Sequence, residues 1–128
     1  MEIIKEIKEY CDKDKEGFVI VTDKQEIKIL IDSYQSCCEQ WGYITSEDDF
    51  EDYIGSELLE ISLTDDALQS TILKLAADGV SSEYTDCMFI NVNTSKGLLQ
   101  FTLYNSHNGY YSHRATIRST QLTADTHL

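Results

Sequence analysis

The chain contains no proline. Its turns must therefore come from six Gly and from Asn, Asp and Ser, and no internal repeat or low-complexity linker breaks the 128 residues, so a single domain (1–128) with one core is expected. No apolar run is long enough to span a membrane. The opening Met1-Glu2-Ile3-Ile4-Lys5 has no signal-peptide layout, so the expected location is the cytoplasm of the host cell. Cysteines are few: Cys11, Cys37, Cys38 and Cys87. Two are sequence neighbours, whose mutual bond would be strained, so reduced thiols are expected, with Cys11 and Cys87 in the core. Neither G-x-S-x-G nor a glycine-rich phosphate loop is present, and the thiols have no local His partner. The reading is a protein that is not an enzyme and holds no cofactor or metal.

Basic residues are scarce in one part of the chain. Residues 31 to 90 hold fourteen Asp and Glu against Lys74 alone, a net of −13, which is the formal charge of the whole protein. The first thirty residues carry −2 and residues 91 to 128 carry +2. One stretch thus supplies the imbalance. An anionic surface of this kind repels nucleic acid and acidic membranes, and it attracts basic proteins and divalent cations.

The apolar pattern predicts an α+β fold: an antiparallel sheet, made of an N-terminal hairpin and a C-terminal three-stranded meander, with two or three helices on one face. Ile3, Ile4, Ile7, Tyr10 and Cys11 fall at helical spacing, so residues 2–12 read as an amphipathic helix. Residues 18–22 and 26–34 read as a hairpin over Asp23-Lys24-Gln25. Ser46-Glu47-Asp48-Asp49 reads as a capping box opening a short helix through Phe50, Tyr53 and Ile54, stopped by Gly55. Residues 58–63 read as a strand. Residues 65–77 read as a helix ended by Gly79, although Thr71-Ile72-Leu73 also fits a strand. Strands are expected over 84–93, 97–104 and 110–118. A His107-Asn108-Gly109 loop would pair Leu103 with His113 and Phe101 with Ala115. That register would put Gln100, Tyr104, Tyr110, Arg114 and Arg118 on one outer face.

Three weaker chemistries compete with the acidic block. Asp12-Lys13-Asp14-Lys15-Glu16-Gly17, with Asp23 at the twelfth position, resembles the start of a calcium loop, but Glu at five, Ile20 at nine and a terminal Asp depart from it, and a plain connection is the simpler reading. Cys37, Cys38, Cys87, His107 and His113 lack C-x-x-C or H-x-x-x-H spacing for zinc, and His113 on the core face reads as a packed, hydrogen-bonded histidine. The Tyr104, Tyr110, Arg114 and Arg118 face could hold a small anionic ligand, as in a sponge that sequesters a nucleotide.

Two segments carry a resemblance. Asp32-Ser33-Tyr34-Gln35-Ser36-Cys37-Cys38-Glu39 follows a strand, and Leu103-Tyr104-Asn105-Ser106-His107-Asn108-Gly109-Tyr110-Tyr111-Ser112 comes much later. The pair resembles an uncharacterised small domain of phage and mobile-element proteins, and implies a phage-like origin. In length and charge the chain is also similar to anti-CRISPR and anti-restriction inhibitors that imitate DNA. The expected function is thus a phage-derived inhibitor of a host defence nuclease, such as a CRISPR effector. Glu47, Asp48, Asp49, Glu51 and Asp52, supported by Asp65 and Asp66, would take the place of phosphates in a basic nucleic-acid channel.

Overall fold

The computed structural model describes residues 1–33, 40–80, 85–106 and 113–128. It is a sandwich of two antiparallel sheets with one α-helix among the described residues, so the expected single sheet flanked by two or three helices is corrected. In chain order come β1 (Ile4–Cys11), β2 (Lys15–Thr22), β3 (Glu26–Asp32), β4 (Gln40–Thr45), a 3-10 turn (Glu51–Tyr53) and β5 (Leu58–Thr64). They are followed by α1 (Gln69–Ala77), β6 (Asp86–Thr94), β7 (Gly97–Ser106), β8 (Arg114–Arg118) and β9 (Thr123–His127). One sheet has the order β1-β2-β3-β8-β9, the other β4-β7-β6-β5.

The segment expected as the first helix is strand β1. Its helix-like spacing comes from a β-bulge: Ile4 pairs with Thr22 and Glu6 with Val21, leaving Lys5 as the extra residue. A bulge moves the following side chains to the opposite face, so Ile4 and Ile7, three apart, both point into the core. Strand β5 repeats the device, with Leu59 extra and Leu58 and Ile61 both buried. The hairpin from β2 to β3 forms as expected, over Asp23–Gln25.

Alternation places Phe18, Ile20, Ile27, Ile29 and Ile31 of one sheet against Met88, Ile90, Val92, Phe101 and Leu103 of the other. Burying each such side chain contributes about 1.5–3 kcal/mol. Ala115 and Ile117 face this core as the sequence implies, but β8 does not pair with β7. Ile31 pairs with Ala115 and Ile29 with Ile117, while β7 lies between β4 and β6. Alternation specifies which face a side chain takes and leaves the neighbouring strand open. The loop assigned to His107-Asn108-Gly109 lies outside the described residues.

Helix α1 covers the outer face of the four-stranded sheet, where Leu75 packs with Val80, Phe89 and Tyr104. Gly79 just beyond it has φ +78°, the left-handed conformation expected of a helix stop. Its first turn is tied down by Gln100, a fully buried side chain on β7. Gln100 Oε1 accepts hydrogen bonds from Leu68 N (2.9 Å) and Thr71 Oγ1 (2.8 Å). Its Nε2 donates to Asp66 O (3.0 Å) and Asn91 Oδ1 (2.9 Å).

Candidate functional site

The acidic residues 47–52 lie on an irregular connection between β4 and β5, not on the expected helix. Ser46, expected as the helix cap, is committed elsewhere: its hydroxyl accepts Gln100 N (2.9 Å) and its own N–H donates to Gln100 O (2.8 Å). Only Glu51–Tyr53 turns, as one 3-10 unit, with Asp49 Oδ1 accepting Glu51 N (2.9 Å). The far end is held by β1, through Gly55 N to Ile4 O (2.8 Å) and Ile4 N to Ser56 O (2.9 Å). Between these anchors Phe50 and Tyr53 pack against the core. Glu47, Asp48, Asp49, Glu51 and Asp52 are left exposed.

Asp65 and Asp66 are both exposed in the turn before α1; Asp66 is tied to the same part of β7 as the loop, whereas Asp65 lines a separate cleft beside β6 and β9. Gln100 joins the two acidic segments directly, since its backbone pairs with Ser46 and its side chain holds Asp66 O. Of these seven acids only Asp48 has an ion-pair partner among the described residues, Lys74 of α1. Asp48 is 92% exposed, so the pair belongs to the class worth about 0–1 kcal/mol.

Beside the acidic loop the sandwich opens into a cleft of about 430 Å³, between β1, β4, the loop and α1. One wall is aromatic: Phe18 meets Tyr43 edge-on at 5.3 Å and Phe50 at 6.4 Å between ring centres. Glu9, Glu47, Asp48 and Asp78 supply carboxylates, and Lys74 is the one cation among the described lining residues. Burial, then a hydrogen bond to Glu16 Oε1 (3.1 Å), pushes the Tyr43 phenol up to about 12. Tyr43 is therefore a neutral donor at physiological pH. Tyr43, Glu9 and Asp78 were not singled out by the sequence, since β4 has no regular apolar alternation and Glu9 was placed on a helix.

Among the described residues, Tyr104 is not brought together with Arg114 and Arg118. Tyr104 is 5% exposed under α1, its phenol pushed up by burial and by Asp78. Arg114 and Arg118 lie on the outer face of the other sheet and share Asp125, at 2.8 and 3.6 Å. Tyr110 lies outside the described residues. The calcium-like segment opens in the tight turn between β1 and β2, where Asp12 Oδ1 accepts Asp14 N and Lys15 N (both 2.7 Å), and runs on into β2, while Asp23 lies at the far end of β2, its Oδ1 accepting Ile3 N (2.9 Å). The Tyr10 hydroxyl, followed by those two amides, holds the Asp12 carboxyl below its usual range.

Cys11 is exposed and Cys87 only half-buried on the outer sheet face, which corrects their placement in the core. Burial, with Asp86 adding to it, pushes the Cys87 thiol up to about 11. Cys37, Cys38 and His107 lie outside the described residues, and among those described no group of three or more His, Cys, Asp or Glu gathers as a metal site needs. His113 is fully buried, stacked on Trp41 at 5.3 Å, with Nδ1 2.6 Å from Asp32 O.

A family model described as a domain of unknown function, DUF7448, matches residues 1–117. The chain belongs to the DUF7448 family. In this member the matched span takes in the acidic loop, the cleft and α1, and it stops one residue before the end of β8, so β9 lies beyond it. No curated protein and no solved structure matches the chain.

Proposed function

We propose that this protein is a non-enzymatic inhibitor that presents its acidic loop to a basic nucleic-acid-binding partner in place of a nucleic-acid strand. The class of partner comes from the resemblance to phage-encoded inhibitors: a defence nuclease of the host, such as a CRISPR effector, met in the host cytoplasm. The observation that carries the reading is the exposure of Glu47, Asp48, Asp49, Glu51 and Asp52 on one anchored loop, with Lys74 the one cation paired to them among the described residues. Six residues of extended chain reach at most about 20 Å, so five carboxylates there amount to at least one charge per ~4 Å. A single strand of duplex DNA presents one per ~3.4 Å. That density needs no regular structure in the loop.

The test uses a variant chosen to leave the loop's anchors intact. Asp49→Asn keeps the oxygen that accepts Glu51 N, and Glu51→Lys with Asp52→Lys reverses two exposed charges. The parent should capture from host lysate a nucleic-acid-binding protein that added DNA displaces, and the triple variant should not. Capture of the same protein by both at equal salt would remove the loop from the contact.

A further inference from the structure

We infer that the cleft between β1, β4, the acidic loop and α1 is the seat of an arginine side chain inserted by the partner protein. The inference rests on the acidic-surface reading above and adds the anchor that such a surface would need for specificity. A loop of exposed carboxylates attracts any cation and orients none. The cleft differs from the loop in being concave and aromatic. At about 430 Å³ it falls within the range of side-chain and small-ligand pockets, about 300–1,000 Å³.

Three features select the occupant. Tyr43 and Phe50, half-buried and backed by the buried Phe18, offer an aromatic wall of the kind that a flat guanidinium stacks on. The lining charge is four carboxylates against one ammonium, a net of −3, which disfavours an anionic or neutral guest. The ammonium itself is informative. Lys74 reaches across from α1 to Asp48 and is only 27% exposed, so the cleft already holds a cation of its own, on a lysine stem. A stronger guest would compete with Lys74 for Asp48 at little cost, because the Asp48 carboxylate is 92% exposed and is reached freely from solvent. Arginine is stronger because its fork can bond a carboxylate in two places while its plane lies on a ring.

The experiment uses the full chain and two probes, a hexa-arginine and a hexa-lysine peptide, titrated at low salt and followed by backbone amide shifts of Tyr43 through Asp49. The arginine peptide should bind about three- to thirtyfold more tightly, the range open to one cation–aromatic contact. Phe50→Leu, which keeps apolar bulk and removes the ring, should erase most of that preference. Lys74→Gln should tighten the arginine peptide by about two- to fivefold, a gain that damaged folding would not produce. Equal binding of both peptides, unaffected by Phe50→Leu and Lys74→Gln but lost in the Asp49→Asn/Glu51→Lys/Asp52→Lys variant, would overturn the arginine seat while leaving the acidic-surface reading standing. Binding of neither peptide would overturn the seat as well, with the acidic surface then judged by its DNA-displaceable capture.

Discussion

Gly42 shows how tightly one position of the edge strand β4 is specified. It pairs with Tyr104, and a Cβ there would sit 2.5 Å from the phenol oxygen and 2.7 Å from the ring carbon that bears it. The ring cannot swing away, being packed with Leu75, Val80 and Phe89. Gly42→Ala should cost about 1–3 kcal/mol by chemical denaturation. In a Tyr104→Leu background the added cost should fall below about 0.5 kcal/mol, which a double-mutant cycle measures. Tyr43, next along the chain, gives a pH signature. Its folded value of about 12 lies above the ordinary tyrosine value of about 10, so the protonated phenol is the form the fold favours. Its contribution to stability is whole below pH about 10 and is lost as pH rises through about 12. Tyr43 should be a late-titrating phenol by its ring-carbon chemical shift, and Tyr43→Phe should remove that part of the pH dependence of unfolding. At neutral pH exposed Cys11 should react with a thiol reagent well before Cys87, whose thiol stays protonated up to about 11.

Gln100 is where helix, sheet and acidic segments meet, and it shows what sequence leaves open. Its alternation with Leu99 and Phe101 places it outward, as read. Nothing in a polar residue on an outer face announces that it will be buried with four side-chain hydrogen bonds, to α1, to the turn before it and to Asn91 of β6. Gln100→Ala would leave Leu68 N without its acceptor in a partly buried place, so a loss of about 2–3 kcal/mol is expected, with faster amide exchange at Leu68 and Ile72. Strands β2, β3, β5, β6 and β7 were legible because β-branched runs and alternation mark them. Strand β1 was misread because a bulge imitates helical spacing, and the Ser46 cap was misread because its hydroxyl serves Gln100. Strand β9, Thr-Ala-Asp-Thr-His, has almost no apolar face to reveal it and is mostly exposed. Of the candidate site, the exposed acids were readable one by one. The cleft was not, since it is assembled from strands of both sheets, the loop and the helix.

The bases of the five-stranded sheet are largely answered within it: Lys15 by Asp32 at 2.9 Å, Arg114 and Arg118 by Asp125, and Lys28 lies 5.9 Å from the centre of the Tyr10 ring. Seven exposed carboxylates, Glu47, Asp48, Asp49, Glu51, Asp52, Asp65 and Asp66, lie on the connections before and after β5. A contact built on such charges forms quickly and weakens as salt rises, because exposed charges more than a Debye length apart, about 10 Å at 0.1 M, are screened. The most direct measurement is the affinity of the parent and of the Asp49→Asn/Glu51→Lys/Asp52→Lys variant for the purified captured partner, across ionic strengths from about 0.05 to about 0.5 M. The parent should lose more than about tenfold over that range, and the variant should fail to bind even at its low end. A flat salt profile together with equal binding by both proteins would contradict the acidic loop as the contact.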